Sequence, residues 1–198
     1  MENARVGVQN HMDIRSFALD GPLEIYPVRR HDTRGYFAEI FREDLFCAAA
    51  GPVHFVQENE SRSDLAGTVR GLHFQADPMA QGKLVRCSQG VIFDVAVDLR
   101  PRSPSFGQWV TTELSAAKGN QLWVPAGFAH GFCTLVPDCI TTYKVTQYYS
   151  PEHDKGLAWD DPDLAIGWPT VANPATLAAK DRAHPRLANL PRALFTKG

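Results

Sequence analysis

The chain has 198 residues, with 20 Lys and Arg against 22 Asp and Glu, and it is 44% apolar and 21% charged. That suits one ordinary globular domain, or at most two small ones, with a sizeable core, and it argues against a disordered chain. A net charge of −2 and a pI near 6.4 exclude the broad basic surface that nucleic acid or an anionic membrane requires, so any anionic ligand must meet a local cluster of cations.

No apolar run approaches the roughly 18 residues of a membrane span, and the first ten residues lack the basic start and apolar stretch of a signal peptide. Cys47, Cys87, Cys133 and Cys139 make no CxxC pair and sit in apolar runs, as free thiols do in a reducing compartment. The expectation is a soluble, cytoplasmic protein.

A second start-like point at His11-Met12 sets residues 1–11 apart as an extension or cloning remnant and leaves residues 12–198 as a single domain. Strand patterns follow at 23–28 and 35–41. Residues 43–50 read as a short helix ending at Gly51. Further strands fall at 53–60, 68–74, 83–87, 91–99, 107–114, 120–124, 131–135 and 139–149, with a second helix at 174–183. The clearest strand is 91–99, where Val91, Phe93, Val95, Val97 and Leu99 alternate with Ile92, Asp94, Ala96 and Asp98. Ser88-Gln89-Gly90 before it reads as the turn of a hairpin with 83–87. So many short antiparallel strands predict an all-β fold, a jelly-roll barrel with a few short helices and an interior able to enclose a ligand.

His73, in Arg70-Gly71-Leu72-His73, lies in a strand two residues after a glycine. Strict alternation puts Arg70 and His73 on opposite faces, and a bulge at Gly71 would bring both into one cavity. The run 125–132, Pro-Ala-Gly-Phe-Ala-His-Gly-Phe, delivers a second histidine, His130, from a turn into a strand. These two half-motifs resemble those of the cupin superfamily of β-barrels. Gln75 stands where metal-bearing cupins have a second histidine, and Lys83 lies where a carboxylate ligand would be sought. Two imidazoles beside an ammonium make a poor divalent-metal site, so no metal is expected.

A closer resemblance is carried by several motifs in order: Arg70 to Gln75, Gln81-Gly82-Lys83-Leu84-Val85, Phe93 to Arg100, Pro125 to Phe132, Tyr143-Lys144, and Tyr148-Tyr149-Ser150-Pro151. Together they resemble the dTDP-4-dehydrorhamnose 3,5-epimerase family, from about Met12 through Asp181. The resemblance implies a metal-free homodimer that needs no cofactor. It would invert C3 and C5 of dTDP-4-dehydro-6-deoxy-D-glucose on the way to dTDP-L-rhamnose.

A proton α to a ketone needs a base, a stabiliser for the enolate and an acid on the opposite face. By resemblance His73 is the base, supported by Asp181; Lys83 stabilises the enolate; Tyr143 returns the proton. By the same resemblance Arg70 contacts the diphosphate, His130 lies in the pocket near the sugar, Gln57 and Asn59 are further polar pocket positions, and Tyr149 is a substrate-side tyrosine. Arg34, Phe37 and Glu39 match an early motif that reaches over the nucleotide of a neighbouring subunit in a strand-exchanged dimer. Glu60, where many members of the family have histidine, and a 63–67 loop one residue longer than the commonest form leave open a relative inverting one centre only. A non-catalytic sugar-nucleotide barrel and a metal cupin are the more distant alternatives.

Overall fold

The computed structural model describes residues 4–9, 12–191 and 194–195. In chain order its strands begin with β1 (Ala4–Gln9), β2 (Met12–Ser16), β3 (Leu23–Pro27), β4 (Arg29–Asp32) and β5 (Gly35–Ala38), followed by helix α1 (Glu43–Ala50). Then come β6 (Gln57–Ser63), β7 (Val69–Gln75), β8 (Lys83–Gln89), β9 (Val91–Asp98) and β10 (Trp109–Ser115). The last are β11 (Gln121–Val124), β12 (Phe128–Thr134), β13 (Cys139–Val145), β14 (Asp154–Gly156) and helix α2 (Ala179–Arg182). Where one helix was expected over 174–183, a 3₁₀ turn at Pro174–Thr176 and the single turn of α2 stand apart.

One sheet of seven strands runs β1-β2-β3-β11-β8-β13-β6, and a second of five runs β10-β9-β12-β7-β14. β4 and β5 form a separate hairpin. All the ladders are antiparallel, as the all-β reading requires. Of the N-terminal residues set apart on sequence grounds, 1–3 and 10–11 lie outside the described residues, while β1 pairs with β2 at the edge of the seven-stranded sheet.

The two sheets face each other across a core of Val85 and Cys87 from β8, Ile92 and Ala96 from β9, Leu122 from β11 and Phe128 from β12. This arrangement overturns the hairpin expected between 83–87 and 91–99. β8 pairs with β11 and β13, whereas β9 pairs with β10 and β12, so the turn carries the chain from one sheet to the other. The physical reason is burial: both strands have apolar inner faces, and these meet face to face across the core rather than lying side by side.

Nor is β9 amphipathic in the usual sense. Its fully apolar row, Val95, Val97 and Leu99, faces outward and is covered by Leu157, Leu164 and Phe195 of the C-terminal segment. On the opposite sheet α1 sets Phe46 edge-on against Trp123, ring centroids 5.2 Å apart, over Ile25 and Leu84.

One irregularity places the chemistry. His130 of β12 stands opposite His73, yet Phe132 stands opposite Arg70, so β7 carries one residue more than its partner between those points. The bulge falls at Gly71, whose φ of +120° and close approach to β12 leave no room for a side chain; a Cβ there would lie 2.6 Å from Gly131 Cα. Arg70 and His73 consequently share the inner face. Gly71→Ala is expected to cost about 2 kcal/mol or more, through strain and clash together, read as a lowered denaturation midpoint. An unchanged midpoint would show that the bulge can relax.

Candidate active site

The inner faces of β6, β7, β8, β12 and β13, closed by α2, enclose a cavity of about 340 Å³. It adjoins a second space of about 170 Å³ that shares His73, Lys83, Tyr143 and Lys180. Arg70, His130 and Asp181 line the first, and Gln57, Asn59 and Tyr149 the second. Arg34, Phe37 and Glu39 line neither. Arg34 and Phe37 stand exposed on β5 and the turn before it, Arg34 paired with Asp32 at 2.6 Å.

On the five-stranded sheet, His73 Nε2 lies 2.8 Å from Asp181 Oδ1, and the Gly71 N–H donates to Asp181 Oδ2 at 3.3 Å. Burial works against the Asp181 carboxylate, but the His73 imidazole and the Gly71 N–H outweigh it and hold the carboxyl below the ordinary aspartate range. An ionised carboxylate therefore backs the imidazole. With Nε2 committed to Asp181, Nδ1 is the nitrogen left for chemistry.

Tyr143 projects from the opposite sheet, where it stands across from Val85 of β8 and Asn59 of β6. Burial raises the pKa of its phenol, so the group is a protonated donor at neutral pH. Lys83 extends from β8 into the same space and donates from Nζ to the His73 carbonyl at 3.2 Å. Burial pushes its ammonium down to about 8, against the pull of Asp154 and Asp94.

The sign of the resulting pH dependence is fixed. Below about 8 Lys83 is cationic and above it neutral, so an activity that uses its charge declines as pH rises through that value. Lys83→Arg, which stays charged across the range, should move that alkaline limb upward. A limb left in place by Lys83→Arg would assign it to another group.

The structure adds residues that motif reading missed. His130 Nε2 lies 2.8 Å from Asp94 Oδ1, a second imidazole–carboxylate pair, with Asp94 buried and its pKa raised by that burial. Asp154 of β14 accepts from the Tyr149 hydroxyl at 3.0 Å and also from Lys180 Nζ, tying α2 to the cavity's rim. Arg70 is held by the Ser63 hydroxyl at 3.0 Å and the Arg62 carbonyl at 2.8 Å. Gln57 donates to Asn59 at 2.7 Å and accepts the Tyr149 N–H at 3.2 Å. Glu60 stands on the exposed face of β6, alternate to Asn59 and Ser61, and so points away from the cavity.

His73, Asp181 and His184 bring three ligand-type atoms within 4.8 Å of one another. Lys83 and Lys180 line the same cavity, so a cation there would lie beside two ammonium groups. The set suits moving protons better than holding a metal. Among the described residues no helix is long and apolar enough to cross a membrane.

A carboxylate-backed imidazole on one wall, facing a protonated phenol on the other, is what an isomerase that exchanges protons at carbon requires, and the double-sheet barrel that carries it is of the cupin type. Residues 16–189 match the family model described as dTDP-4-dehydrorhamnose 3,5-epimerase, and the chain belongs to that family. It is 56% identical over 182 residues to the dTDP-4-dehydrorhamnose 3,5-epimerase of Sinorhizobium fredii, covering 92% of this chain and 93% of that one. Its fold is similar to that of a Legionella pneumophila dTDP-6-deoxy-D-glucose-3,5-epimerase solved with dTDP-4-keto-L-rhamnose. That match has a TM-score of 0.87 and 42% identity, covering 93% of this chain and 97% of that one. A 3′-monoepimerase from Streptomyces bikiniensis, solved with dTDP-quinovose, is similar at TM-score 0.83 and 33% identity, with 91% of each chain covered.

Proposed function

We propose that the protein inverts C3 and C5 of dTDP-4-dehydro-6-deoxy-D-glucose to give dTDP-4-dehydro-L-rhamnose. The observation that supports this most directly is the placing of base and acid on opposite sheets of one cavity. His73, with Asp181 behind it, takes the proton from the carbon next to the C4 ketone. The electron pair moves onto the C4 oxygen, where the Lys83 ammonium stabilises the enolate. Tyr143 then delivers a proton to the other face of the same carbon, its phenolate recovers a proton from solvent while His73 releases the one it took, and the cycle repeats at the second centre.

Arg70 serves the diphosphate, with a planar fork suited to phosphate oxygens. His130, Gln57, Asn59 and Tyr149 serve the sugar. The β4–β5 hairpin, with Arg34, Phe37 and Glu39 on it or just beyond it, serves the nucleotide of a second copy in a strand-exchanged homodimer. Its exposed Tyr36 and Phe37 support that reading, since aromatic side chains held in solvent are suited to cover a partner's base.

Turnover of the dTDP-4-keto-6-deoxy sugar in deuterated water, followed by NMR, tests the reaction. Label at both C3 and C5 is the expected result. Label at one centre would make the protein a single-site epimerase, as the Streptomyces bikiniensis protein is named, and label at neither would end the enzymatic reading for this substrate.

A further inference from the structure

Gly156 stands directly opposite His73 in the β14–β7 ladder. A side chain at such a position leans on its cross-strand neighbour, and glycine leaves that flank of the imidazole open. His184 fills the gap: a Cβ on Gly156 would lie 2.0 Å from its Cε1 and 2.3 Å from its Nε2. The His184 ring meets His73 edge-on, with centroids 5.5 Å apart and planes at 89°.

His184 arrives on the same turn as Asp181, its backbone N–H donating to the Asp181 carbonyl at 3.4 Å. The hydrogen-bond partner of His73 and its lateral wall are thus delivered together. Yet both His184 ring nitrogens are buried, with no hydrogen-bond partner among the described residues. No hydrogen bond among the described residues fixes the ring, so its contact with His73 is one of packing and shape.

We propose that His184 is a positioning residue: seated in the space that Gly156 leaves, its ring holds the His73 imidazole in the plane that keeps Nε2 on Asp181 and Nδ1 available to the substrate. The inference rests on the reading of His73 as the base. A base that can rock about its Cβ–Cγ bond spends less time aligned with the C–H bond, which lowers the chemical step and leaves binding unchanged.

Three variants test this by steady-state kinetics on the full chain: His184→Ala, which empties the slot; His184→Phe, which keeps a ring without nitrogens; and Gly156→Ala, which expels the His184 ring from behind. His184→Ala should lower kcat about tenfold or more with KM within about twofold, and His184→Phe should recover most of that loss. Gly156→Ala should behave like His184→Ala. Full kcat in His184→Ala overturns the inference, as does a His184→Phe enzyme that is folded by circular dichroism and as slow as His184→Ala, since nitrogen chemistry rather than shape would then matter. If His184→Ala does not fold, the remaining two variants decide: Gly156→Ala with full kcat overturns the inference, and Gly156→Ala slow beside an active His184→Phe supports it. His73→Asn separates the two layers. Lost turnover there with an indifferent His184→Ala defeats only the positioning role, whereas retained turnover defeats the reading of the base.

Discussion

His73→Asn is expected to lower kcat by about a thousandfold, within the span that a positioned general base contributes, and to abolish exchange of the substrate's α-hydrogens with deuterated solvent. The side chain stays polar and short enough for its inner-face position on β7, so the fold has no reason to fail. What disappears is the imidazole that has Asp181 as its carboxylate partner, at 2.8 Å, and a second nitrogen on the side of the phenol-bearing wall. The other imidazole in the site, His130, has its Nε2 bound to Asp94 and belongs to β12, next to β7 in the same sheet. If substantial exchange survives in His73→Asn, His130 is the base, and the roles of the two imidazole–carboxylate pairs are interchanged.

Tyr143→Phe should give a loss of product formation of about a hundredfold or more by the same reasoning, but with a different isotopic signature. Deprotonation from the β7 side does not need the phenol. On the proposed mechanism the enolate should still form in Tyr143→Phe, and His73 should return a proton, by then exchanged with solvent, to the face from which it came. Deuterium therefore enters the substrate without inversion, measured as labelled starting sugar accumulating in the absence of rhamnose-configured product. Loss of exchange together with loss of product would mean that Tyr143 is needed for the first proton transfer as well. Because the Tyr143 ring is packed against the inter-sheet core, replacement by Phe keeps that packing and isolates the hydroxyl.

Much of the strand pattern was legible in the residues, since β3, β7, β9, β11 and β13 are short β-branched and aromatic runs bounded by Gly, Pro or polar turns. β4, with its sequence Arg-Arg-His-Asp, and β14, with Asp-Lys-Gly, were not, because three or four polar residues carry no periodicity. The β8–β9 connection was misread for a related reason: a short turn between two apolar strands has the same signature whether it closes a hairpin or crosses between sheets.

In the site, motif order located the groups on β6, β7, β8, β12 and β13, and the bulge at Gly71 that unites Arg70 with His73 could be anticipated from the glycine. Asp94 could have been found as an acid on the inner-facing row of a strand buried on both faces. Asp154, Lys180 and His184 could not, because they reach the cavity through one-turn or three-residue elements whose placement only tertiary packing decides.

The covering of the five-stranded sheet by the C-terminal segment bears on how activity is gained and lost. Asp181, Lys180 and His184 belong to no strand of the barrel and are held in place through apolar contacts on its outer side. The His73–Asp181 pair therefore joins a barrel strand to a segment packed on the barrel's outer side. Such a peripheral layer can detach at a free energy below that of global unfolding, leaving a barrel with its strands intact and its base without a carboxylate. The integrity of that outer layer, as well as of the barrel, is what keeps imidazole and carboxylate together.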